Sequence, residues 1–134
     1  MTLTVLGIDN VLLAVGDYHL ARDFYGGKLG LPVKFEFEQV GLIGFRLGGE
    51  EPGLLVRVQE IEERAADPAA PRFWLEVPDA RTAAAQLIEA GLEPLGEERE
   101  INTGWVVEFA DPWGNVFGIT DYVKQPERAR KLDL

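Results

Sequence analysis

The chain has 134 residues, 46% of them hydrophobic, which suits one compact domain with a real core. It has no Cys, which excludes a disulfide framework, a thiolate metal site and a thiol nucleophile. Thirteen Lys and Arg stand against 23 Asp and Glu; the net charge of −10 opposes binding to nucleic acid and is compatible with a cationic ligand or with plain solubility.

The start, Met1–Gly7, lacks a basic n-region and soon reaches Asp9. No secretory signal and no apolar run of spanning length is expected, so a cytoplasmic protein without a membrane role is the expectation. Asn10–Val15 is a short apolar run, read as the first strand. Asp17 is a good N-cap, and Leu20, Ala21, Phe24, Tyr25 and Leu29 follow near helical spacing; the helix is expected to stop at Gly26–Gly27 or shortly after. Pro32–Glu38 alternates with period two and predicts a second strand. Val40–Leu47 and Gly53–Val58 predict a third and a fourth. Glu60–Pro71 is charged, Ala-rich and carries two prolines. It reads as a connection, with a helical turn expected over Glu62–Ala66.

The order then repeats. Arg72–Val77 is a strand, and Asp79 caps a helix over Ala80–Ala90 that ends at Gly91. Leu92–Ile101 contains a sixth strand and Gly104–Ala110 is a seventh. Asp111-Pro112-Trp113-Gly114-Asn115 is a tight turn, since Pro presets φ and Gly accepts a positive one. Val116–Tyr122 is the eighth strand. Lys124–Leu134 is a charged tail, read as a solvated helix or frayed end. Val15 and Asp17 recur as Val77 and Asp79, an offset of 62, and Ala21 recurs as Ala83. A repeated unit of this size usually buries its apolar face against its copy.

These stretches resemble the vicinal oxygen chelate superfamily, which includes glyoxalase I, extradiol dioxygenases, fosfomycin-resistance enzymes and bleomycin-resistance proteins. The carrying residues are Asn10–Tyr25 with its Val-x-Asp, Trp74–Asp79, and Phe109–Asn115. The resemblance implies an α+β fold of two tandem βαβββ modules, whose curled mixed sheet surrounds a cleft with the helices outside. Module one covers about 6–59, the connection 60–71, module two 72–122 and the tail 123–134. It also implies a homodimer, since such proteins often build their clefts across two chains.

Metal-binding relatives draw His and Glu ligands from the first and fourth strands of each module. Carried over at the offset of 62, those positions are Asn10, Val56, Arg72 and Gly118. A slip of one on strand four would bring Leu55 or Arg57 to the Val56 position. Val and Gly have no side-chain donor, Arg is a permanent cation, and Asn offers one weak oxygen. No metal, no other cofactor and no catalytic residue is therefore expected. The only histidine, His19, falls at the helix start, away from the cleft.

Strand alternation assigns the lining. Asn10 and Arg72 would bring Leu12, Trp74 and Glu76 to the cleft, and Val56 and Gly118 would line it from the fourth strands. Phe37, Phe45 and Trp105 are further candidate walls. Such an apolar trough with indole faces suits a flat or aromatic small molecule. Core packing explains Trp74 equally well, an Arg72–Glu76 ion pair explains both charges, and capping explains Asp17 and Asp79.

Three functions remain open. One is a metal-free small-molecule binding protein like the bleomycin-resistance proteins, sequestering a cationic or aromatic antibiotic. The second is a metal-dependent lyase or dioxygenase whose site uses Glu36, Glu38, Glu76 or Glu108. The third is a non-catalytic dimeric interaction module.

Overall fold

A computed structural model describes residues 2–131. The chain divides into two compact units, Met1–Ile61 and Glu62–Leu134. Each holds a four-stranded mixed sheet with its helix on one face, giving an α+β protein without a closed barrel.

In the first unit β1 (Asn10–Val15), β2 (Val33–Phe37), β3 (Leu42–Leu47) and β4 (Glu50–Val58) order as β1-β4-β3-β2. Only the β1–β4 pair is parallel. The helix begins as α1 (Tyr18–Ala21), where the Asp17 carboxylate accepts from the Leu20 N–H at 2.9 Å. It then widens into a π-helical stretch over Arg22–Lys28, which carries Phe24 and Tyr25 into the core. Tyr25 meets Phe45 with ring centroids 6.0 Å apart. The helix-facing side of the sheet therefore holds Val15, Ile43, Phe45, Leu54 and Val56, all fully buried. On the outside of this unit the Glu36 carboxylate ties β2 to the helix. It accepts from the Tyr18 hydroxyl at 2.7 Å and from Arg22 Nε at 3.0 Å.

In the second unit β5 (Arg72–Glu76), β6 (Arg99–Glu100), β7 (Trp105–Ala110) and β8 (Val116–Thr120) order as β5-β8-β7-β6, again with only the first pair parallel. α2 (Ala80–Glu89) starts at Asp79, whose side chain accepts from the Thr82 N–H. It ends in a Schellman motif. The N–H of Gly91, at φ +102°, bonds to the Ile88 carbonyl, and that of Leu92 to the Leu87 carbonyl. Leu87 and Leu92 are both buried, which supplies the hydrophobic contact of that motif. Buried Asp121 joins three segments by accepting from the N–H groups of Ala80 (2.7 Å) and Trp105 (3.0 Å), and more weakly from that of Val123 (3.4 Å).

One expectation is narrowed and two need correction. The sixth strand is only Arg99–Glu100, with an isolated bridge from Pro94 to Phe109. No helical turn forms over Glu62–Ala66. Arg64 is instead engaged by the 111–115 turn, its N–H on the Pro112 carbonyl and its Nε on that of Trp113. Gly114 also packs so closely on the Ala65 carbonyl that a Cβ would approach it to 2.8 Å. The tail forms a single 3₁₀ turn over Pro126–Arg128, and residues 132–134 lie outside the described residues. No helix among the described residues is long and apolar enough to cross a membrane.

Candidate functional site

Because each sheet gives one face to its helix, the other face is where side chains remain available. In the second unit that face carries Arg72, Trp74 and Glu76 from β5, Val116, Gly118 and Thr120 from β8, and Val106, Glu108 and Ala110 from β7; Val106, Val116 and Thr120 are buried on it, while Trp74 is exposed. Trp74, Gly118 and Glu108 form one row across three strands. The Trp74 indole lies over Gly118 so closely that a Cβ there would stand 2.5 Å from Cδ1. Its Nε1 donates to Glu108 Oε2 at 3.0 Å, and the side chain still exposes 45% of its surface. The other Glu108 oxygen accepts from Arg72 Nη1 at 3.0 Å and from Arg99 Nη2 at 3.4 Å. Arg72 is held a second time by the Pro68 carbonyl, 2.7 Å from Nη2.

Burial pushes the Glu108 carboxyl up, but the Trp74 N–H and the Arg72 and Arg99 guanidinium groups outweigh it and hold the group below its ordinary value. Glu108 is thus an ionised anchor that fixes the tilt of an indole. Beside it, Leu95, Gly96, Glu97, Glu98, Arg99 and Glu108 line an open hollow of about 450 Å³.

Of the residues the sequence proposed, Arg72, Trp74 and Gly118 come together here. Glu76 shares their face but does not pair with Arg72. It accepts from the backbone N–H and Nη1 of Arg130 in the tail, at 2.8 and 2.6 Å. Trp105 lies on the opposite, helix-facing side, with the Arg81 guanidinium 4.1 Å over its ring. Its parity follows from Val106 pairing with Thr120 and Glu108 with Gly118.

The first unit's open face carries Asn10, Leu12 and Ala14 from β1, Gly53, Leu55 and Arg57 from β4, Leu42, Gly44 and Arg46 from β3, and Phe35 and Phe37 from β2. Asn10, Leu12 and Phe37 lie on this face, with Leu12 67% and Phe37 56% exposed. Phe45 and Val56 do not; they are core residues under the helix. Register explains the difference. Trp74 pairs with Gly118 in the second unit, whereas Leu12 pairs with Leu55 in the first. The offset is therefore 62 on the first strands and 63 on the fourth. A one-residue slip moves a side chain to the other face.

The four positions corresponding to the ligand seats of metal-binding relatives are then Asn10, Leu55, Arg72 and Gly118. A leucine, a glycine and a guanidinium do not fit a divalent cation, which needs several converging oxygen or imidazole donors. The acids named as an alternative set each have partners within their own unit. Glu36 bonds Tyr18 and Arg22, Glu38 pairs with His19 at 2.9 Å, Glu76 holds Arg130 and Glu108 holds Trp74. Among the described residues no group of three or more His, Cys, Asp or Glu is placed to hold a metal.

The sequence undervalued Glu108 and missed Arg99 and Arg130. Glu108 had a signal, a lone charge within the apolar run Val106–Ala110. Arg99 and Arg130 had none, since each sits in a charged stretch where a solvated side chain is the default.

Two mixed sheets, each with a parallel first pair and a helix on one side, define a duplicated α+β class of protein. Within that class, residues 7–119 match the family model described as Glyoxalase/Bleomycin resistance protein/Dioxygenase superfamily, and the chain belongs to that superfamily. Solved structures share the fold. TnmS3, an antibiotic binding protein from Streptomyces sp. CB03234, is 22% identical with TM-score 0.71, covering 90% of this chain and 99% of that one. Lactoylglutathione lyase from Agrobacterium tumefaciens is 19% identical with TM-score 0.67, over 87% and 94%. A glyoxalase/bleomycin resistance protein/dioxygenase from Nocardioides is 16% identical with TM-score 0.70, over 97% and 92%. No curated protein matches the chain significantly.

Proposed function

We propose that this chain is a metal-independent binding protein for planar small molecules, sequestering an aromatic compound such as an antibiotic rather than converting it. The observation that carries this reading is the Trp74 platform. One face of the indole rests on Gly118, its N–H is tied to Glu108, and nearly half of the side chain faces solvent. A tryptophan serving only as core would be buried. This one is held rigidly and left accessible, which is what stacking on a flat ligand requires, and stacked rings gain about 0.5–1.5 kcal/mol beyond burial. The side chains at the ligand seats support independence from metal, because they cannot grip a divalent ion. A fold shared with an antibiotic binding protein supports the class of ligand. In this reading the protein acts as a cytoplasmic homodimer and has no catalytic residue.

The test is thermal denaturation against a panel of planar natural products, with metal analysis of protein purified without chelator. A genuine ligand at a hundredfold over Kd stabilises by about 2.7 kcal/mol, which raises Tm by on the order of 10 °C. The shift should vanish in Trp74→Ala. Stoichiometric zinc, nickel, manganese or iron, or a panel without any stabilising member, would overturn the reading.

A further inference from the structure

Net charge alone points to a cationic ligand, but the charges are not spread evenly. On the first unit's open face Arg46 and Arg57 are exposed, and the acid nearest that face among the described side chains is Asp9, which accepts from the Asn10 amide at 3.1 Å at the start of β1. Arg57 rises from a central strand between Ala14 and Leu42, and Phe37 pairs with Leu42 on the far side. On the second unit's open face Arg72, Arg99 and the tail's Arg130 stand against Glu76 and Glu108. Two guanidinium groups share one Glu108 oxygen beside the Trp74 ring, while Glu97 and Glu98 line the hollow next to them. Each open face thus presents an exposed arginine near an aromatic side chain, Arg57 near Phe37 and Arg99 near Trp74, on a chain of net charge −10.

We infer that the ligand is an aromatic acid: a planar ring system bearing a carboxylate, taken by an arginine beside an aromatic floor. This rests on the binding reading above and deepens it by fixing the sign of the ligand's charge. Arginine suits the task because its planar fork matches a carboxylate and donates two parallel hydrogen bonds. Arg99 is the more available of the Glu108 pair. Its side chain is 58% exposed and its contact is the long one at 3.4 Å, whereas Arg72 is 27% exposed and held from two sides. Arg99 can turn to a ligand while Arg72 keeps Glu108 and Trp74 in place. Glu97 and Glu98 on the rim of the hollow are exposed, as Arg99 is, so water and salt screen all three alike. The two glutamates repel acids that approach from that side and leave the indole side to the ligand.

The experiment is calorimetric titration with three matched probes: naphthalene-2-carboxylate, its neutral carboxamide and naphthalen-2-ylmethylammonium. Wild type, Arg57→Gln, Arg99→Gln and Trp74→Ala are compared at low and moderate salt. The carboxylate is expected to bind at least tenfold more tightly than the ammonium probe, against the pull of the net charge. The preference should shrink with salt and in one or both arginine variants. Trp74→Ala should weaken all three probes alike. An ammonium probe bound as well as the carboxylate through Trp74 overturns this inference and leaves the binding reading standing. A carboxylate preference unchanged in both arginine variants overturns the assignment of the charge. No binding by any probe removes the binding reading and this inference with it.

Discussion

Replacing Gly118 by Ala sets a methyl carbon 2.5 Å from Cδ1 and 2.8 Å from Nε1 of Trp74, so the indole must lift off the sheet. Its N–H then leaves Glu108. We expect Gly118→Ala to cost about 1–3 kcal/mol, the usual range for overpacking, and to abolish stacking, read by denaturant unfolding and by ligand-dependent Trp fluorescence. Glu108 sits at the other end of that row, and its carboxyl is held below the ordinary value of 4.5 by the Trp74 N–H and the Arg72 and Arg99 charges, against the opposing push of burial. A carboxyl with a depressed folded value adds stability that is present above the unfolded value and lost as pH falls through the folded one. Glu108→Gln should therefore destabilise at pH 7 by about 1–3 kcal/mol, the cost of partners left wanting. The gap from wild type should narrow only below about pH 4.5, once the wild-type carboxylate also takes up its proton. Urea unfolding of both proteins at pH 7 and pH 3 checks this; an equal gap at the two values would contradict the ionised anchor.

The elements themselves were written in local chemistry, and the site was not. Asn10–Val15 forms the expected strand, Asp17 and Asp79 cap as their positions suggest, and Gly91 takes the left-handed conformation that ends α2. Each depends on neighbours in sequence. The facing of Phe45, Val56 and Trp105 depends instead on register, and register drifts where hairpins differ in length. In the first unit Leu55 pairs with Gly44, in the second Gly118 pairs with Glu108, so the third strands are offset by 64 and the fourth by 63. Turns absorb such changes at little cost, which is why one constant offset misplaced Val56. Asp121 was invisible for a related reason, since its partners lie 16 and 41 residues away. It receives the first free N–H of α2 and the first N–H of β7, and Gly104 has no room for a Cβ beside it. Asp121→Ala would leave both donors unpaired in the interior. At about 1–3 kcal/mol for each orphaned group, we expect a loss of roughly 2–6 kcal/mol, with β7 and the α2 start losing amide protection together in hydrogen exchange. Retained protection at Ala80 and Trp105 would show that the carboxylate is not their anchor.

For the molecule as a whole the balance is between repulsion among acids and a scatter of ion pairs. The exposed pairs Arg22–Glu36 and Lys124–Glu100 contribute little, because water and salt screen them. The net charge of −10 acts over longer distances and opposes the compact state. At about 0.1 M salt the screening length is near 10 Å, so long-range repulsion is removed while the partly buried Arg72–Glu108 contact persists. Repulsion therefore outweighs the pairs. We expect Tm to rise by about 2–5 °C, on the order of 1 kcal/mol, between 20 mM and 300 mM KCl, measured by calorimetry. Affinity for an aromatic carboxylate should fall over the same range, because the attracting arginines are screened by the same ions. Stability and binding would then move in opposite directions with salt, as expected where acids dominate the chain and an arginine meets the ligand. A Tm that falls with KCl would mean that local pairing, not net charge, governs the stability of this chain.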